Sequence, residues 1–449
     1  MGPRVTLCRL ALPLIAATLV AAGSASATTW TVDAGGGGDA TMIGTAVGLA
    51  SDGDTISIAN GTYTEFATTE KALVFIAVNP GQVTWQGTGD GILGVQNATG
   101  IEVHGIGFSG GYSGLNFLSV GGTLKVWNCT FSNLTSAGPG AAIYSLYSKL
   151  DVSECEFSNC SSTYAGYGGG AIYAGYDSPG ARVVTSTFTS CTAASDGGAM
   201  DLSCRDMTVG DCTFHSCSGD NGGAVRFRCQ DSMVSNCTFE DNEAAGDGGA
   251  FYTEWQSGNT IVDCVFSTNT ANGNGGAICT YADGSTGSVS NNLFQGNVAL
   301  RGGAIYEEHN VLEYFGNTFH NNEASAAGAA FYIKAGSPEI RQSIFSSHQD
   351  CAAIYCESNP GALGCNDFWQ NTSGNVDGCP EPQAADGNIF LDPQFCNAGA
   401  GNFELAQVSP CLAASAPAGC SGNMGRYDSG CVVSPVRVTS WGEIMNLFR

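Results

Sequence analysis

Gly248-Gly249-Ala250-Phe251, Phe266-Ser267-Thr268-Asn269, Gly275-Gly276-Ala277-Ile278, Phe294-Gln295-Gly296-Asn297, Gly302-Gly303-Ala304-Ile305: two short motifs alternate through this stretch. Working outward, the phenylalanine recurs from Phe108 to Phe345 at intervals of 23 to 31 residues, usually with Cys or Asn three positions later. The Gly-Gly-Ala motif, or a close variant, recurs from Ala142 to Ala353. A sustained period of this size means stacked supersecondary units. The segments are short and rich in Gly, Asn, Thr, Phe and Tyr, so they read as strands broken by turns rather than as paired helices. One turn of a three-sided parallel β-helix has this length, whereas a propeller blade needs about 40 residues. Leucine-rich repeats would show regular leucines, and none are present. The prediction is an all-β, right-handed parallel β-helix of roughly 12 coils.

Equivalent residues then lie one above another at about 4.8 Å. The phenylalanines should stack in the core. Asn242, Asn269, Asn297 and Asn322 should form an amide ladder at a turn, and Gly-Gly should make the opposite corner with φ > 0. The same register suggests disulfides between coils. Cys204 and Cys229 are equivalent, as are Cys129 and Cys155. Cys160, Cys191 and Cys217 form one run, Cys212, Cys237 and Cys264 another, with buried thiols as the alternative.

Composition supports the fold. The chain has 64 glycines among 449 residues, 12% charged residues and 43% hydrophobic ones, which excludes a coiled coil and argues against disorder. Its net charge of −25 repels a nucleic-acid backbone. Residues 1–27 read as a signal peptide: Arg4 and Arg9, an apolar stretch Leu10 to Ala22, then Ala25-Ser26-Ala27. With 20 cysteines, an exported chain should carry disulfides.

The two motifs resemble the pectin-lyase-like β-helix superfamily. More narrowly they resemble the repeats of chlamydial polymorphic outer-membrane proteins, whose paired signature is Gly-Gly-Ala-Ile with Phe-x-x-Asn. That resemblance implies a structural and adhesive role at the cell surface, with no catalytic residues in the motifs. Trp30 to Glu65 resembles the opening of secreted β-helices, with a helix over Thr41–Ala50 closing the core. Phe390 to Phe395, Phe403-Glu404-Leu405 and Ser409-Pro410-Cys411 resemble closing coils, stapled by eight cysteines from Cys351 to Cys431. The expected organisation is a β-helix over 28–360 with its N-cap at 28–65, a Cys-rich cap over 361–431, and a tail at 432–449. Those chlamydial proteins end in a membrane β-barrel, for which no room is expected here. The tail reads as a sorting or anchoring segment for the outer membrane, or as a docking helix.

Strand alternation after Gly-Gly-Ala points one column outward: Tyr144, Tyr173, Asp201, Arg226, Tyr252, Cys279, Tyr306, Tyr332 and Tyr355. Two residues on come Arg228, Glu254, Tyr281, Glu308, Lys334 and Glu357. Aromatic faces stack on sugar rings, so Tyr173, Tyr252, Tyr306, Tyr332, Tyr355 and Lys334 are the expected glycan-binding residues. For catalysis, Glu254 and Glu308 lie two coils apart, about 10 Å, near the upper separation for an inverting carboxylate pair. Arg226 and Arg228 beside Asp201 suit an acidic sugar. No Cys/His spacing suggests zinc, and no cofactor is expected beyond Ca2+ at the turn acids Asp196 and Asp247. His215 and His320 follow anchor phenylalanines and are expected at the surface. The sequence therefore predicts an exported, monomeric, non-catalytic adhesion protein that binds polysaccharide or cell-surface glycan. The alternatives are a lyase or hydrolase acting on acidic polysaccharide, and a structural envelope component.

Overall fold

The computed structural model describes residues 26–431, apart from 90, 255, 256 and 282–285. Most of the expected signal peptide and the whole 432–449 tail lie outside the described residues. The chain is a right-handed parallel β-solenoid of about 15 turns, more than the roughly 12 read from the motifs. The difference comes from the first coils, such as Leu73–Ala77 and Leu93–Gln96, which precede the first Gly-Gly-Ala.

One coil shows the plan. Ile143–Leu146 lies on a tyrosine face, Lys149–Ser153 on a second face, and Glu156–Ser158 on a phenylalanine face. Ser161–Ser162 makes a short corner strand before Ile172 starts the next coil. The phenylalanine face stacks 13 strands, and the other two faces join into one 26-stranded sheet. The strand pairings along the solenoid body are parallel, and those of the phenylalanine face keep strict register, as with Phe131↔Phe157 and Phe157↔Phe188.

That register builds the core. From Phe108 to Phe345 the rings stack with centroids 4.6 to 5.0 Å apart and planes within 10°. Three residues after Phe239, Phe266, Phe294 and Phe319, the amide ladder forms as expected. Asn242 donates to Asn269, Asn269 to Asn297 and Asn297 to Asn322, each from Nδ2 to Oδ1 at 2.9 Å. The two glycines of the corner serve different needs. Gly275 sits at φ +67, where other residues are strained, while a Cβ on Gly276 would stand 2.1 Å from the Gly303 carbonyl oxygen.

The helix α1 (Ile43–Leu49) closes the N-terminal end, with Ile43, Ala46 and Val47 buried over the core. Both its ends are held by later strands. Glu65 accepts from the Ile43 and Gly44 amides at 2.7 and 2.8 Å. Lys71 donates to the carbonyls of Val47, Gly48 and Ala50 at 2.7 to 3.2 Å. A carboxylate at the N-terminus and an ammonium at the C-terminus both complement the helix dipole.

At the far end, disulfides Cys356–Cys379, Cys365–Cys420 and Cys396–Cys431 staple the chain. The last segment folds back over the phenylalanine face. Leu405, Cys411 and Met424 pack on Ile344, and Arg426 donates to the Asp263 carbonyl at 3.0 Å. His320, expected at the surface, is covered there by Phe403 and Phe395, with ring centroids 5.0 and 6.1 Å away.

The ladder cysteines are not bridged. Cys129, Cys155, Cys204 and Cys229, the expected disulfide partners, are buried free thiols, as are Cys160, Cys191 and Cys217. Strands in register set equivalent Cα–Cβ bonds parallel, so the Cβ atoms stay near the 4.8 Å coil spacing. A disulfide needs them closer, at about 3.8 Å. Cys129 donates instead to the Val103 carbonyl of the preceding coil, and Cys155 to that of Val126, both at 3.6 Å.

Candidate functional site

The expected column on the tyrosine face exists: Tyr144↔Tyr173↔Asp201↔Arg226↔Tyr252↔Cys279↔Tyr306↔Tyr332↔Tyr355 is one continuous register. It is not an exposed strip. Tyr173, Tyr306 and Tyr332 retain only 3 to 4% of their accessible surface, and Tyr252 and Tyr355 are half-buried. The rings cover one another, with Tyr306–Tyr332 at 5.2 Å and Tyr332–Tyr355 at 4.9 Å. Corner residues complete the cover: Arg301 lies over the Tyr332 ring, and Tyr281 donates to Asp247 at 2.8 Å. Tyr332 likewise donates to Glu357, and burial raises the Tyr252, Tyr281, Tyr306 and Tyr332 hydroxyls above their ordinary pKa. Pointing outward along the strand therefore does not expose these rings, because the corner before Gly-Gly folds across them.

The structure does bring the charged candidates together. Arg226 contacts Asp196 at 2.5 Å, Glu254 at 3.3 Å and Asp201 at 3.9 Å, while Arg228 reaches Asp201 at 3.4 Å. Asp201 is fully buried, and that burial raises its pKa against the pull of both arginines. Its carboxylate also accepts from the Gly168 amide at 3.1 Å. Opposite charges this close mainly satisfy one another. Glu308, two coils beyond Glu254 through Glu254↔Tyr281↔Glu308, pairs with Lys334 at 3.0 Å and accepts from Tyr306 at 3.1 Å. Of the two turn acids, Asp196 holds Arg226 and the Asn221 carboxamide, and Asp247 holds the Asn274 amide and Tyr281. Among the described residues, no group of three or more His, Cys, Asp or Glu side chains is arranged to hold a metal ion.

An open site lies further toward the N-terminus on the same face. The column runs back from Tyr144 through Asn116, Gly94 and Thr68. There it floors a cleft of about 950 Å³ walled by Phe66, Tyr112, Ser113 and the Ala137-Gly138-Pro139 corner. Phe66 is 39% exposed and Tyr112 59%. Phe66 lies over Gly94, where a Cβ would be in ordinary contact with its ring at 3.5 Å. Glu70, Gln96 and Asn116 supply polar groups, and Ser113 donates to Asn116 Oδ1 at 2.9 Å. Beyond Tyr144 an aromatic run continues through Tyr173, Tyr167 and Tyr164, with centroids 5.6 to 6.2 Å apart. Four successive coils span roughly 14 Å, enough for about three sugar rings.

Sequence reasoning reached this cleft only at Tyr144. Thr68, Gly94 and Asn116 occupy coils without the Gly-Gly-Ala marker, so no motif fixed their register. The alternation in Phe66-Ala67-Thr68-Thr69-Glu70 was the one usable signal.

The fold and the cleft define the class: a right-handed parallel β-helix with an open polar and aromatic cleft on one face. Residues 90–266 and 169–311 match the family described as Right handed beta helix region. No curated protein matches the chain in sequence. Among solved structures, the PL6 family alginate lyase AlyGC aligns with a TM-score of 0.52 at 16% identity, over 79% of this chain and 53% of that one. The match thus spans about half the length of that enzyme. The PL6 family polysaccharide lyase Pedsa3628 from Pseudopedobacter saltans aligns with a TM-score of 0.39 at 13% identity, over 81% of this chain and 92% of that one. At such identities the likeness is one of fold.

Proposed function

We propose that the protein binds polysaccharide outside the cell without cleaving it, and does so in the Phe66–Tyr144 cleft rather than along the buried tyrosine column. The observation that carries this reading is the cleft itself: two exposed aromatic rings facing amide, hydroxyl and carboxylate groups across four coils. Ring faces pack on sugar C–H surfaces while the polar groups bond hydroxyls. The apolar leader ending at Ala27 and the three disulfides support an extracellular place. The alternating Gly-Gly-Ala-Ile and Phe-x-x-Asn motifs support display at a surface.

A second reading, a lyase or hydrolase acting on acidic polysaccharide, draws on the fold shared with an alginate lyase. Against it, Arg226, Arg228, Asp201 and Glu254 close on one another, and a base or a charge neutraliser must be free to meet substrate. The discriminating experiment incubates residues 28–449 with neutral and acidic polysaccharides, with and without Ca2+. Products are sized by mass spectrometry and retention is followed by affinity electrophoresis. The expected result is retention with intact chains. Shortened chains sink the non-catalytic reading, and neither retention nor cleavage leaves a structural envelope role.

A further inference from the structure

Resting on the cleft as a glycan site, we infer that it selects uncharged polysaccharide and rejects polyuronates. Among the described residues, its lining contains no Lys, Arg or His, and its one carboxylate is Glu70. The cations nearest in the chain lie off the cleft, and Lys149 opens a strand of the second face. Lys71 follows Glu70 directly but is turned onto the α1 carbonyls, and Lys125 pairs with Glu102 at 2.6 Å on the second face. A polyuronate brings one carboxylate per sugar, so a chain crossing four coils sets about three anions beside Glu70, in the field of a protein of net charge −25. No group in the cleft compensates them. An uncharged chain meets only what the walls offer, the Phe66 and Tyr112 rings and the Gln96, Asn116 and Ser113 hydrogen-bonding groups. Ligand charge is thus rejected by the same face whose counterpart further along holds Arg226 and Arg228 locked in ion pairs. The selectivity runs opposite to the acidic substrate of the alginate lyase that shares the fold.

The test is calorimetric titration of the full mature chain with cellohexaose, mannohexaose and xylohexaose against hexamers of mannuronate and galacturonate. At low salt, the best neutral hexamer should bind at least about tenfold more tightly than either uronate. That ratio should shrink at high salt, where screening shortens the reach of the charge. Tyr112→Ala, a change at an exposed side chain, should abolish the binding, and Glu70→Lys should lower the neutral-to-uronate ratio about fivefold. Uronates binding as tightly as neutral chains, with loss on Tyr112→Ala, overturn the selectivity while leaving the cleft a glycan site. A ratio unmoved by Glu70→Lys and by salt overturns it too. Binding that is absent, or indifferent to Tyr112→Ala, removes the cleft reading itself.

Discussion

Cys160, Cys191 and Cys217 fill in the first half of the solenoid the socket that Asn242, Asn269, Asn297 and Asn322 fill in the second. Both residue types do one thing alike: they donate to the carbonyl of the preceding coil's phenylalanine. Cys191 reaches Phe157 at 3.7 Å, and Asn269 reaches Phe239 at 3.0 Å. Asparagine does more. Asn269 also bonds Asn297 at 2.9 Å, and its Oδ1 accepts the Asn242 amide at 3.1 Å. A second ladder, two residues before each Phe, changes in the same direction, from Cys212, Cys237 and Cys264 to Asn292 and Asn317. In these coils the corner holds a small side chain that donates to the preceding coil. Cysteine serves there mainly by apolar packing, and asparagine by a continuous chain of hydrogen bonds.

The comparison breaks most visibly if the thiols are bridged. Alkylation of the folded protein should label half-buried Cys351 first, with the ladder thiols slower by at least about a thousandfold, since they react only when the stack opens. After unfolding without reductant, all should react; ladder cysteines that stay unlabelled would falsify the free-thiol assignment. Next in size is a pH effect that one residue brings to the asparagine half. Glu307 is fully buried beside Tyr314, and burial pushes it up to about 8 from an ordinary 4.5. The folded chain thus keeps a proton that the unfolded chain releases. That stabilisation is complete below pH 4.5 and is lost as pH rises through 8, by roughly 5 kcal/mol. Denaturant midpoints should fall over that range, and Glu307→Gln should flatten the fall.

Smaller changes sharpen the contrast. Asn269→Ala removes the ladder bonds of one rung and leaves the Asn242 amide unsatisfied, so it should cost about 2 kcal/mol in urea unfolding. Cys191→Ala should cost about 1 kcal/mol, chiefly in lost packing. Equal losses at the two positions would mean that the hydrogen-bond ladder adds nothing beyond filled space.

The ladders were legible in the sequence because a residue repeated once per coil must stand over its equivalent. The direction of Tyr306 and Tyr332 was legible too, from strand alternation, but not their burial. That depends on how far the corner at Arg301 and Asp247 folds across the face, which local pattern does not encode. The staples of the C-terminal end were legible, but the bridges expected between ladder cysteines fail for a related reason. Register sets the height of Cys129 below Cys155 and says nothing of whether their Cβ atoms converge. The cleft escaped notice because Thr68, Gly94 and Asn116 carry no repeated motif, and its walls come from corners distant in the chain. Arg226 and Arg228 stand beside Asp201, as strand alternation implies, while the contact of Arg226 with Glu254, which makes the group a brace, depends on side-chain reach that alternation does not encode.

The clamp on α1 has a consequence for assembly. A stack of parallel strands presents an apolar column and unpaired amides at an open end, where a second copy can continue the ladder. Glu65 and Lys71 hold the helix as a stopper over Ile43, Ala46 and Val47, bolted at both ends by groups from the coils beneath it. Cutting those bolts would change the growth rule of the molecule, from a rod of fixed length to a template for end-to-end filaments.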